Sequence, residues 1–175
     1  ANLFVPNKIN KPSETAKYPI GLHKEAHLMV QNPFVWIDEL VKAGFERIIF
    51  HIEAEDDTEK CIKYIKSKGL EAGLAINNET PIEKIEPFIE KLDVVLVMAV
   101  VPGFQGQKFI PESLDRIKNI KSRGWRVKIG IDGAIKDDNI KEIVEAGADR
   151  VTVGSYLLKG DIDENLENLW EKINE

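Results

Sequence analysis

Cysteine is almost absent from this 175-residue chain: Cys61 stands alone, so no intramolecular disulfide framework can be built and a reducing compartment fits. There is no apolar run of membrane-spanning length and no visible signal peptide, and both point to a cytoplasmic protein with no membrane partner. Basic charge is scarce as well. The net charge is −6 and lysines and arginines are scattered, which offers nucleic acid no basic stripe. Hydrophobic residues make up 43% and charged residues 31%, a balance that excludes disorder and suits one domain with a real core.

What is present is a repeated alternation of strand-like and helix-like segments. Nearly continuous apolar runs at 26–30, 47–53, 71–77, 93–100, 126–132 and 150–157 predict strands buried on both faces, as in a parallel sheet. Between and after them, helical spacing links Ile37, Leu40 and Val41; Ile62 and Ile65; Leu114 and Ile117; Ile140, Ile143 and Val144; and Leu166, Leu169, Trp170 and Ile173. Gly44, Gly69, Gly124 and Gly147 fall where helices would end, at positions that need a left-handed residue. The 43–48 stretch Ala-Gly-Phe-Glu-Arg-Ile echoes 146–151, Ala-Gly-Ala-Asp-Arg-Val, as repeated βα units would. The expected architecture is α/β, a single (β/α) TIM-type barrel over residues 1–175. Residues 1–25, punctuated by Pro6, Pro12 and Pro19, read as an irregular segment. Only about six strands are visible, two fewer than a full barrel needs.

The chemistry concentrates at two strand ends, Ile131-Asp132-Gly133-Ala134 and Val153-Gly154-Ser155. In a parallel barrel they lie side by side on one edge. Small residues there let backbone N–H groups approach an anion, and a following helix N-terminus would favour its charge. Asp132 stands at the same rim. The pairing predicts a phosphate cradle with a carboxylate beside it, although Asp132 could also serve merely as a helix cap.

Read in order, several stretches carry a resemblance. They are Phe4-Val5-Pro6-Asn7; His27-Leu28-Met29-Val30-Gln31-Asn32-Pro33; Phe50-His51-Ile52-Glu53-Ala54; the run from Val97 to Phe109 that contains Pro102-Gly103-Phe104-Gln105-Gly106-Gln107; and the two strand ends above. Together the chain resembles the ribulose-phosphate 3-epimerase family of ribulose-phosphate-binding barrels. The resemblance implies an isomerase of carbohydrate metabolism, in the pentose phosphate pathway, that inverts a carbinol carbon next to a ketone. One carboxylate removes the proton from one face and a second acid returns one on the other, through an enediolate held by a divalent metal (Zn, Fe, Mn or Co).

Carried over by position, Asp132 is one of the two acids and a metal ligand, and His27 is a second ligand. Met29 and Met98 resemble the methionines around the enediolate. Gly103, Phe104 and Gly106 belong to the loop over the sugar phosphate, while Gly133, Ala134, Gly154 and Ser155 hold its phosphate. In the family, the Phe4-Val5-Pro6-Asn7 segment follows a strand with another metal-binding histidine and the second acid. The resemblance therefore places that strand, and the one before it, upstream of Ala1. Val101, Gln105 and Ala134 depart from the family pattern, which has an acid, a glycine and a glycine there.

Several residues also have blander readings. His51 reads as core, or as support behind a ligand, and His23 as incidental. Glu53, Glu55, Asp56 and Asp57 read as the solvated start of a helix, and Trp36, Trp125 and Trp170 as packing residues. The expected substrate is a small sugar phosphate, ribulose 5-phosphate interconverted with xylulose 5-phosphate. Alternatives are a six-carbon ketose-phosphate epimerase, a hexulose-phosphate synthase, or an impaired phosphate-binding relative. An incomplete barrel would expose strand edges, and a homo-oligomer or a rearranged sheet is an expected remedy.

Overall fold

Six strands form one parallel sheet in strict sequence order, as a computed structural model of residues 12–15, 21–103 and 106–175 describes it. The strands are β1 (Glu25–Leu28), β2 (Arg47–His51), β3 (Glu71–Ile76), β4 (Val94–Met98), β5 (Lys128–Asp132) and β6 (Arg150–Thr152). The helices are α1 (Pro12–Thr15), α2 (Ile37–Lys42), α3 (Thr58–Ser67), α4 (Glu112–Ser122), α5 (Ile140–Glu145) and α6 (Ile162–Asn174). Short 3-10 turns at Pro33–Trp36, Ile82–Lys84 and Glu86–Lys91 supply the remaining connections. The Phe4-Val5-Pro6-Asn7 stretch and the pair Phe104 and Gln105 lie outside the described residues.

Every expected strand is present, and every one is shorter than expected. The difference sits mostly at the C-terminal ends, where the apolar run continues after the ladder has stopped. After β4, for example, the chain turns at Ala99, whose N–H goes to Asp132 O at 2.7 Å while Ile110 N–H returns to Ala99 O at 2.9 Å. After β6 the chain enters turns, so that strand ends at Thr152 rather than near Leu157. The four helix-ending glycines all have left-handed backbone, with φ of 75°, 79°, 67° and 107° at Gly44, Gly69, Gly124 and Gly147. Asp57 caps α3 by accepting Lys60 N–H at 2.7 Å, and Asp161 caps α6 through Asp163 and Glu164 N–H.

The core has two parts. A large layer between sheet and helices contains Leu28, Phe50, Ile62, Ile65, Leu74, Val97, Ile117 and Ile131. Inside the curl, Ile49, Ala75, Val94 and Leu96 pack together. Gly73 makes that packing possible, because a Cβ on it would fall 2.4 Å from Val94 Cγ1 and 2.9 Å from Ile49 Cγ1. Of the three tryptophans, Trp36 and Trp125 pack on the core edge, whereas Trp170 is 58% exposed. It follows Ile162 and Leu166 at helical spacing on a face of α6 that no described element covers, so the expectation of a packing role fails for Trp170.

The sheet is curled far enough to bring its edges together. At the N-terminal end, Glu25 of β1 accepts from Arg47 of β2 at 2.7 Å and from Arg150 of β6 at 2.6 Å. Arg47 also pairs with Glu71 of β3. Burial pushes the Glu25 carboxyl upward, but the two guanidiniums outweigh it and hold its pKa below the ordinary 4.5. The stabilisation is therefore complete above pH 4.5 and is lost as pH falls through the lower folded-state value. Removing one partner leaves half-buried arginines uncompensated, at a cost of about 3 kcal/mol. Glu25→Gln is expected to lower the urea midpoint at pH 7, and its deficit relative to wild type is expected to shrink between about pH 5 and pH 3. A deficit independent of pH would mean that the ion cluster does not carry the closure. Among the described residues, no helix is long and apolar enough to cross a membrane.

Candidate active site

The C-terminal ends of the strands form the rim where (β/α) barrels place their chemistry. Residue alternation along the strands decides which side chains face inward there. His27 sits opposite Ile49 in the β1–β2 register, so it shares the inner face with Ile49 and, two residues on, with His51. Met98 is opposite Asp132, and Asp132 opposite Thr152. The curl then does what sequence distance cannot: His27 of β1 meets Asp132 of β5, with Nδ1 3.0 Å from Oδ2.

That contact is one link in a longer chain. His27 Nε2 lies 2.9 Å from His51 Nε2, and His51 Nδ1 lies 3.2 Å from Glu53 Oε2. The two imidazole rings are nearly parallel, at 15°. Glu53 Oε1 in turn accepts the Asn77 backbone N–H at 3.0 Å. His51 is fully buried, and desolvation is the main reason its pKa is lowered, which keeps the ring neutral at pH 7. For Glu53, burial raises the pKa, but hydrogen bonds from His51, Thr80 and the Asn77 N–H prevail and lower it, so the carboxylate is ionised.

Glu53 thus leaves the role expected of it. Of its acidic neighbours, Asp57 caps α3 as expected of a helix start, while Asp56 accepts Phe34 N–H at 2.8 Å and Glu55 accepts from Gln31 at 2.8 Å, both reaching the segment after β1. Glu53 instead turns inward onto His51. Its position two residues past His51 at the end of β2 was the available signal, hidden by the acids that follow. Its role was not legible in the sequence, whereas His51, read there as core or as support behind a ligand, is fully buried and stands next to His27.

A phosphate cradle depends on backbone shape. Gly133 has φ 129°, and Ala134, at φ 52°, is the one non-glycine residue with left-handed backbone among the described residues. Asn139 holds this turn, donating from Nδ2 to Ala134 O at 3.0 Å and accepting Lys136 N–H at 2.9 Å. Gly154 and Ser155 follow the end of β6 on the adjacent strand and are exposed. The helices start only at Ile140 and Ile162, so neither sets its N-terminus directly after the two strand ends. The Asn139-braced loop and the turns after Ser155 consume the intervening residues.

Gly103 and Gly106 lie in the loop after β4 with φ of 134° and 77°, and Gln107 Nε2 donates across that loop to Val101 O at 2.5 Å. Val101 itself is 61% exposed. Met98 is fully buried at the end of β4, and Met29 is half-buried just past β1.

The donor set suits a divalent cation in part. A nitrogen and an oxygen 3.0 Å apart match two adjacent ligand atoms on one ion with bonds of about 2.0–2.2 Å. His27 and Asp132 supply two such donors. Among the described residues, no group of three or more His, Cys, Asp or Glu side chains could hold a metal ion.

A curled parallel sheet with a carboxylate–imidazole pair and glycine-rich turns on its C-terminal rim defines a (β/α)-barrel enzyme. The sequence pattern of the Ribulose-phosphate 3 epimerase family matches residues 2–158. Ribulose-phosphate 3-epimerase of Chlamydia muridarum is 38% identical over 166 residues, covering 90% of this chain and 73% of its own length. That of Escherichia coli strain K12 is 37% identical over 163 residues, with 89% and 72% coverage. The chain belongs to the ribulose-phosphate 3-epimerase family, a family of isomerases. At the level of fold alone, 3-hexulose-6-phosphate synthase from Salmonella typhimurium superposes with a TM-score of 0.72 at 17% identity, over 93% of this chain and 78% of the other.

Proposed function

We propose that this chain contributes the Asp132 half of a site that epimerises C3 of a ketopentose phosphate, interconverting ribulose 5-phosphate and xylulose 5-phosphate. The observation that carries the reading is the meeting of Asp132 and His27 at 3.0 Å beside the left-handed turn at Gly133 and Ala134. Family membership supports a sugar phosphate as the carbon acid.

Asp132 acts as the general acid/base for one face of C3. Its carboxylate is reachable from the rim, with the side chain 24% exposed, and lies 3.0 Å from His27 Nδ1. Backbone N–H groups of Gly133, Ala134, Gly154 and Ser155 hold the phosphate and so fix the distance from phosphate to C3. Met29, half-buried just past β1, presents apolar, polarisable surface beside the reacting carbons, with the fully buried Met98 backing the rim at the end of β4, and Gly103 and Gly106 offer backbone on the sugar side. His27 and Asp132 would hold a divalent cation, which when bound supplies charge stabilisation for the substrate oxygens. By the family resemblance, the acid for the opposite face would stand on the strand before the Phe4-Val5-Pro6-Asn7 segment.

Ribulose 5-phosphate and a six-carbon ketose phosphate, compared as substrates, test the assignment. Proton exchange at C3 is expected to be at least tenfold faster for the pentose; a preference for the hexose would move the chain to the six-carbon reading. No exchange with either sugar by folded protein that still binds inorganic phosphate would favour a phosphate-binding relative.

A further inference from the structure

We infer that Glu53 and His51 are positioning residues that fix the proton of His27 on Nε2 and leave Nδ1 as the atom that faces a cation beside Asp132. The inference rests on the proposed reading that His27 and Asp132 hold a divalent cation, and it extends that reading to two residues that touch neither cation nor substrate.

Donor and acceptor roles along the chain of contacts fix where each proton sits. The Asn77 backbone N–H can only donate, and it fixes Oε1 of Glu53 as an acceptor. Oε2, on the same ionised carboxylate, is also acceptor-only, so the proton in its contact with His51 sits on His51 Nδ1. A neutral, buried imidazole with Nδ1–H has a lone pair on Nε2. The atom 2.9 Å away, Nε2 of His27, must then be the donor. His27 is left with Nδ1 toward Asp132 Oδ2, the geometry of two donors aimed at one ion. Anchoring of a ligating imidazole through its other nitrogen is how a protein fixes both tautomer and ring orientation. Here the anchor is a second histidine with a carboxylate behind it.

Glu53→Gln reverses the relay without removing it. The Asn77 N–H still requires an oxygen, so the amide oxygen takes the Oε1 place and the NH2 group faces His51 Nδ1. His51 must then become the Nε2–H tautomer, and it would donate to His27 Nε2. His27 would carry its proton on Nδ1, the wrong side for a cation next to Asp132.

The test uses the full chain in two measurements. Imidazole 15N spectra of metal-free protein are expected to show His51 as the Nδ1–H tautomer in the wild type and as Nε2–H in Glu53→Gln. Calorimetric titration with Zn2+ alone is expected to show affinity lowered about 10–100-fold in Glu53→Gln. His51 found as Nε2–H in the wild type would overturn the proposal, as would unchanged Zn2+ affinity in a folded variant. If Glu53→Gln does not fold, the wild-type tautomer still decides the relay. Wild-type protein that takes up no Zn2+ would refute the cation reading itself, a separate failure that the tautomers distinguish.

Discussion

Asp132→Asn is expected to reduce C3 proton exchange by about 10²–10⁴-fold while leaving the fold and phosphate binding in place. The amide is nearly isosteric, so the loss isolates basicity from shape. The site tolerates the change structurally because the Asp132 side chain is not sealed in the core and Nδ1 of its neighbour His27 can accept from the amide NH2. The proposed phosphate cradle uses the backbone after Asp132, at Gly133 and Ala134, and not its carboxylate. Inorganic phosphate affinity measured alongside exchange therefore separates the two roles. Loss of the folded state instead would make Asp132 structural, and exchange at the wild-type rate would remove it from the chemistry.

Gly133→Ala is expected to have the largest effect of any single methyl added at the rim. A Cβ there would lie 2.8 and 2.9 Å from the Val100 side-chain methyls and 2.9 Å from the Val100 backbone nitrogen. The side chain could turn aside, but the backbone nitrogen belongs to the segment leaving β4 and cannot. The φ of 129° adds strain for any L-residue with a Cβ. Together these cost about 2–4 kcal/mol, from overpacking and backbone strain combined. Relief requires the turn to move away from Val100, which displaces the N–H groups offered to the phosphate. Thermal unfolding is expected to fall by several degrees and phosphate affinity by at least about tenfold. A variant that binds phosphate as the wild type does would show that the turn is not part of the cradle.

The elements were legible because their signals are local. Helix ends were marked by Gly44, Gly69, Gly124 and Gly147, each in the left-handed backbone that a side chain disfavours. Strand ends were less legible, since residues such as Ala99 and Val100 stay apolar after the ladder ends and the hydrogen bonds that stop it come from distant residues. At the site, Asp132 and Gly133 stood out by their place after a strand. Glu53 did not, because the run Glu53, Glu55, Asp56, Asp57 reads as one helix start, and only the curl of the sheet separates its first member from the rest. The His27–Asp132 contact joins strands four apart in the sheet, a closure that no spacing along the chain encodes. Glu25 and Arg150 close the opposite end in the same way, across 125 residues of sequence.

The most direct test of the account is incorporation of deuterium at C3 when the full chain is incubated with ribulose 5-phosphate in D2O, followed by 1H NMR. Removal of the C3 proton by Asp132 predicts loss of the C3–H signal with wild-type protein and its retention with Asp132→Asn. Retention of C3–H with folded, phosphate-binding wild-type protein, or its equal loss with Asp132→Asn, would contradict the account.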